Sequence, residues 1–174
     1  NVSGANNAVT VSFTTFNAIV GTGTSQLGGS VDCDVTFTSG NYTNAGNLEF
    51  SGGGPSMAFT SGAADVTGTV LIGSASSFSF GSSTSHVFRS TWTNNTTSAS
   101  WDAGTGTVTF TSAAGATLTF AGANLAEAEF NSVTFTSSAG TAQTFTMATR
   151  GLRWLTTLTV SDGTSTTALA SADL

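Results

Sequence analysis

The sequence predicts an all-β protein, a right-handed parallel β-solenoid of about seven coils of roughly 24 residues. Three observations carry this. Apolar residues alternate with Thr and Ser at period two along most of the chain, the pattern of strands with one buried face. A short phrase built on Phe-Thr-Ser-Gly returns at intervals of 21 to 30 residues, within the range of solenoid repeats. Charged residues are only 7% of the chain, so coil can stack on coil without like charges meeting. A β-sandwich of pilin type, completed by a donated strand, is the alternative, because sandwiches also string short strands between turns.

Taken in order, the phrase begins at Phe13 ("FTTF"), Phe37 and Phe59 (both "FTSG"), Phe80 ("FGSS"), Phe110 ("FTSAAG"), Phe135 ("FTSSAG") and Leu158 ("LTVSDG"). These seven positions are the expected core ladder. In "TVTFT", Val108 and Phe110 share one face, and Thr107, Thr109 and Thr111 share the other. "VTFT" repeats the pattern with Val133 and Phe135 against Thr134 and Thr136. A second series, "TLTF" at Thr117 and "TFTM" at Thr144, gives each coil at least two strands. That is too short a period for a four-stranded propeller blade, which needs about 40 residues. Gly and Ser clusters between the runs mark the corners. Only "ANLAEAEF", Ala123 to Phe130, has a helical cast. The longest interval, Phe80 to Phe110, contains "RSTWTNNTTSASW" and is expected to hold a loop insertion around 89–101. The whole chain, 1–174, is expected to be a single domain.

Composition excludes several functions. The net charge is -6, Lys is absent, and Arg89, Arg150 and Arg153 are the only strong bases. Phosphate backbones are neutralised by Lys and Arg, so neither nucleic acid nor an anionic membrane surface is an expected partner. No apolar stretch reaches the length that spans a bilayer. With 13 Phe and 3 Trp the chain has ample material for a core. It begins at Asn1 rather than Met, which points to a removed leader or a segment of something longer. The single cysteine, Cys33, alternates with Val31, Val35 and Phe37 and reads as a small buried residue.

Candidate chemistry is sparse. The carboxylate pairs Asp32/Asp34 and Glu127/Glu129 could contribute to a Ca²⁺ site, but that ion needs six to eight oxygens and no calcium-binding repeat is present. They read as solvated surface. Arg150, Arg153 and Trp154 in "TRGLRW" are the nearest approach to a sugar-cleaving cluster, and read instead as Arg residues paired with acids beside a packed Trp. The lone histidine, His86, has no nucleophile elbow to serve and reads as a strand or surface residue. No catalytic residue, metal or cofactor is expected. Sequons stand at Asn1, Asn41, Asn94 and Asn95, and the last two, on the expected excursion, lead as glycan acceptors.

The stretch from residue 90 to 160 resembles a repeat found in secreted bacterial and archaeal surface proteins. The likeness lies in Trp92 to Asn95 ("WTNN"), Gly104 to Phe110 ("GTGTVTF") and Phe130 to Phe135 ("FNSVTF"), with a weaker echo over 31–72. It implies a parallel β-solenoid of large adhesins, autotransporter-like passengers and cell-envelope proteins, and brings no catalytic motif. The expected function is therefore a non-enzymatic, secreted structural protein, a subunit of a filament or surface layer joined head to tail to copies of itself by strand pairing and apolar contact. A stalk or glycan-binding segment of a larger adhesin, using Trp92, Trp101 or Trp154, is the first alternative. The second is an ice-binding solenoid presenting outward columns at Thr36, Thr38, Thr109, Thr111, Thr134, Thr136, Thr157 and Thr159, with breaks at Ala58, Ser79 and Gly81.

Overall fold

The computed structural model describes residues 9–15, 17–29, 33–96, 100–120, 129–139, 143–148, 151–161 and 166–173. The described residues form a three-sided parallel β-solenoid of about six turns. Coil 1 holds β1 (Val9–Phe13), β2 (Ala18–Val20) and β3 (Ser25–Gly29). Coil 2 holds β4 (Cys33–Phe37), β5 (Tyr42–Asn44) and β6 (Leu48–Gly52), and coil 3 holds β7 (Ser56–Phe59), β8 (Ala64–Val66) and β9 (Val70–Ile72). Coil 4 holds β10 (Ser77–Ser79), β11 (His86–Phe88) and β12 (Trp92–Asn94), and coil 5 holds β13 (Trp101–Asp102), β14 (Thr107–Ser112) and β15 (Ala116–Phe120). The chain ends with β16 (Glu129–Ser137), β17 (Phe145–Ala148), β18 (Arg153–Ser161) and β19 (Thr166–Asp173).

The first strand of each coil joins one sheet, β1-β4-β7-β10-β13, called sheet A here. The second strands build sheet B, β2-β5-β8-β11-β14-β16-β18-β19, and the third build sheet C, β3-β6-β9-β12-β15-β17. Coils 1 to 5 each carry three strands, within the at least two expected; the third escaped the sequence pattern because strands of three residues, such as β5 or β9, are too short to show a period. The seventh expected coil does not close. Leu158 lies on β18 in sheet B, but β19 then turns back and pairs with β18 antiparallel.

The alternation read from sequence is the burial pattern of the strands. In β4, Cys33, Val35 and Phe37 face the lumen, while Asp34 and Thr36 face out. The expected ladder, however, is two ladders. Phe13, Phe37 and Phe59 stack in sheet A, with centroids 4.8 and 5.0 Å apart and planes within 12° of parallel. Phe80 follows β10, whose Ser79 pairs with Ala58, and so continues the same column. Phe110 and Phe135 lie instead in sheet B, in a column that runs Phe88, Phe110, Phe135, Val160. Leu158 belongs to the neighbouring column, behind His86, Val108 and Val133. The same phrase ends strands of two different sheets.

This corrects the loop insertion at 89–101. The long interval from Phe80 to Phe110 is a step from sheet A to sheet B, not an excursion. Within it β12 pairs in register with β9 and β15, and Trp92 is fully buried. The added length of coil 5 sits later, at 111–115, between Phe110 and Leu118. Residues 97–99 and most of the helical candidate 123–130 lie outside the described residues, and the end of that candidate, Glu129 and Phe130, opens β16.

The corners explain the Ser and Gly of the phrase. Ser39 donates its hydroxyl to the carbonyl of Thr14, Ser61 to Thr38 at 2.8 Å, and Ser82 to Thr60 at 2.9 Å. Each serine thereby ties a corner to the coil before it. At Gly81, φ is +63° and a Cβ would stand 2.0 Å from the Phe59 carbonyl oxygen. Only glycine fits there, which is why "FGSS" departs from "FTSG" at that position.

Candidate functional site

Of the two carboxylate pairs weighed as metal ligands and read as surface, the described members, Asp34 and Glu129, each have a partner. Asp34 accepts a hydrogen bond from Ser56 on the outer face of sheet A, and Asp32 lies outside the described residues. Glu129 pairs with Arg153 at 2.7 Å, while Glu127 and Arg150 lie outside the described residues. Among the described residues no group of three His, Cys, Asp or Glu side chains could hold a metal ion. Nor is any helix there long and apolar enough to cross a membrane. Asp65 is held by both Arg89 Nε and Nη2, at 3.0 and 2.8 Å.

The tryptophans are core residues. Trp92, Trp101 and Trp154 are 0%, 7% and 2% exposed, and Trp101 Nε1 donates to the Glu129 carbonyl at 2.8 Å. None offers a ring face to a sugar, which corrects the expectation that they touch glycans. Sequence reasoning missed this for Trp92, which it placed in a loop, whereas Trp154 is the packed residue beside a paired Arg153 that it expected.

The sequons are reordered by the same finding. Asn94 points into the lumen, is 0% exposed, and accepts a hydrogen bond from the Thr96 amide at 3.0 Å. Asn95 is half-buried beside it, and Asn1 lies outside the described residues. Asn41 is exposed, and its Oδ1 accepts from the Ala63 amide at 2.9 Å. The exposed acceptor is therefore Asn41, not Asn94.

The Thr positions do not make one face. Thr36 belongs to sheet A, where it stands between Ser12 and Ala58, and Thr38 follows the same strand. The other six belong to sheet B, and there they complete a grid across β14, β16 and β18. One row is Thr107, Ser132, Thr157, the next Thr109, Thr134, Thr159, and the third Thr111, Thr136, Ser161. Every position of the grid carries a hydroxyl. All are half-buried except Thr111, which is 5% exposed. The middle row loses this character toward the N-terminus, where Val87, Asp65, Thr43 and Ile19 follow.

Two recesses remain. On the outer face of sheet A, a recess of about 510 Å³ is bounded by Asp34, Ser56, Ser77, Ser79 and Asp102. Ser79 donates to Asp102 at 2.8 Å, so both carboxylates there are held by serines. At the N-terminal end of the lumen lies a cavity of about 490 Å³ whose walls include Val11, Phe13, Val20, Leu27, Val35 and Phe37. Among the described residues no charged side chain lines it. The polar element of its wall is a knot in which Asn44 Nδ2 reaches the Tyr42 hydroxyl at 3.0 Å and Ser25 Oγ at 3.2 Å. Burial raises the Tyr42 pKa above its ordinary value, against the lowering effect of Ser25 and Asn44. Nothing in a regular repeat sets coil 1 apart from the others, so this cavity was not legible in sequence.

The described residues define a three-sided parallel β-solenoid with a largely apolar lumen and an outer surface rich in hydroxyls and small side chains. No family model matches the chain, no curated protein matches it, and no solved structure matches it.

Proposed function

We propose that this chain is a non-enzymatic structural protein of an extracellular assembly, joined end to end with copies of itself. The observation that carries the reading is the state of coil 1. Among the described residues β1, β2 and β3 each pair on one side only, and they surround the uncharged cavity of about 490 Å³. Phe13, Val20 and Leu27 occupy core positions there, yet are only half-buried. Unpaired parallel edges around uncovered apolar side chains are what proteins ordinarily cover or charge. A heterologous contact with the far end of another copy covers them, and such a contact, left unclosed, makes a filament.

The far end supports the same reading. Val160 follows Phe88, Phe110 and Phe135 in their column, beside Thr167 of the antiparallel β19, and is 47% exposed, and Phe145 and Met147 on the last strand of sheet C are half-buried. The likeness to secreted surface repeats adds the extracellular setting. The described acids are largely committed to arginines or serines and the one histidine is buried, which supports a role without catalysis. Sedimentation and electron microscopy of the purified chain test the proposal. Concentration-dependent end-to-end rods are expected, and a strict monomer at millimolar concentration overturns it.

The hydroxyl grid of sheet B favours a second reading, adhesion to a periodic surface such as ice. Strand spacing of about 4.8 Å and a repeat of roughly 6.6 Å along each strand make the grid regular in two directions. Thermal hysteresis and ice-affinity measurements decide it. Thr134→Tyr, at the centre of the grid, should abolish any activity found.

A further inference from the structure

The middle of the lumen holds one titratable group that the proposed function does not use. His86 opens β11 with 0% exposure. Its Nε2 lies 2.7 Å from the Phe80 carbonyl oxygen, to which it donates, and its Nδ1 accepts from the Ala64 amide at 3.1 Å. The neutral imidazole with its proton on Nε2 satisfies both. The ring therefore bridges the end of β10 in sheet A to β8 in the coil before. In the preceding coils the corresponding corner is made without a ring. The Tyr42 amide donates to the Ala63 carbonyl, and the Ala63 amide to Asn41 Oδ1. At coil 4 the imidazole stands where an uncharged acceptor would otherwise serve.

What faces the ring is apolar. Phe59 at the end of β7 and Phe80 just after β10 meet it edge to face at 5.2 and 5.0 Å between centroids, with planes tilted 78° and 73°. On its flanks in sheet B stand Ala64 of β8 and Val108 of β14. The charged groups on or beside the packed elements are Asp65, Arg89 and Asp102. Asp65 and Arg89 bind each other on the outer face, and Asp102 is exposed and bonded to Ser79. None of them faces the imidazole, so no carboxylate is at hand to stabilise an imidazolium.

We propose that His86 is an acid-sensitive staple, whose protonation releases the corner of coil 4 from coil 3 and opens the middle of the solenoid. A proton on Nδ1 would confront the Ala64 N–H donor with another donor. The Ala64 hydrogen bond is then lost, and a charge is left in an aromatic cage without a partner. Burial lowers the His86 pKa to about 4, against the opposing pull of the Phe80 carbonyl. The unfolded chain, with an ordinary histidine near 6.5, binds that proton more readily. Stability is thus complete above about pH 6.5 and falls as pH drops toward 4, by up to about tenfold in the folding equilibrium per pH unit. His86 is the only histidine.

Three measurements on the intact chain test this: urea unfolding from pH 7.5 to 4.5, nitrogen NMR of the imidazole, and exchange of the Ala64 amide. The staple predicts a steady fall in the unfolding midpoint below pH 6.5, an imidazole that stays neutral through pH 5, and faster exchange of Ala64 as pH falls, after correction for intrinsic rates. His86→Asn keeps an acceptor near Nδ1 and should be less stable at pH 7.5 but nearly flat across the window. An imidazole that titrates near 6.5 without loss of Ala64 protection overturns the proposal, as does a His86→Asn profile parallel to the wild type. Should that variant not fold, the two NMR readouts on the wild type still decide.

Discussion

Phe110 stands between Phe88 and Phe135 in sheet B, stacked on Phe135 with centroids 5.6 Å apart and planes 18° from parallel. Its sequence twin Phe80 follows a strand of sheet A and instead meets Trp101 edge-on at 5.2 Å. Two copies of one phrase, alike in sequence, thus occupy different walls of the same lumen.

Phe110→Ala should destabilise the chain by about 3–5 kcal/mol, because a fully buried ring is lost from the middle of a column. Phe13→Ala removes a half-buried ring at the open end and should cost clearly less. Chemical denaturation of both variants checks this. Equal losses would mean that coil 1 is as enclosed as coil 5.

Gly81→Ala should be destabilising beyond the roughly 1–2 kcal/mol of left-handed strain, since its Cβ would also meet the Phe59 carbonyl oxygen 2.0 Å away. Gly23→Ala is the control. Nothing lies within 4 Å of a Cβ there, and its effect should remain within about 0.5 kcal/mol. Thermal melts of the two variants side by side give the answer.

The fold was legible because a strand's period survives in single sequences: Val108, Phe110, Val133 and Phe135 face in, as their alternation with Thr requires. Sheet membership was not, since "FTSG" at Phe59 and "FTSAAG" at Phe110 obey the same local chemistry in different walls. Their serines differ only in partner. Ser61 bonds back to Thr38 of the previous coil, whereas Ser112 bonds within its own turn to the Gly115 carbonyl at 2.8 Å. The polar lumen residues were hidden for another reason. Asn94 looks like a loop residue by type, and only the register Trp92 in, Thr93 out, Asn94 in places it inside.

That register decides where a glycan can sit. In a glycosylating host, folded material should carry sugar at Asn41 and none at Asn94, since a glycan at a fully buried side chain is incompatible with β12 packing. Peptide mass spectrometry of soluble, folded protein tests it. Occupied Asn94 in protein with native stability would contradict the position of β12 in sheet C.

Assembly should depend on coil 1 and resist salt. Truncation through Phe13 removes β1, uncovers the β4 edge and deletes two walls of the cavity, Val11 and Phe13. The truncated chain should lose end-to-end association yet keep coils 3 to 5 folded, because each coil is held by its immediate neighbours. The contact is built of strand edges and apolar side chains, and among the described residues no charged group lines the cavity. Raising ionic strength screens charge pairs but leaves apolar burial intact, so rods formed at low salt should persist in molar sodium chloride. Light scattering across a salt series, with circular dichroism to verify folding of the truncated chain, reads both effects. Rods that dissolve at moderate salt, or that form unchanged without β1, would move the contact to the sides of the solenoid, where the hydroxyl grid of sheet B is the surface on offer.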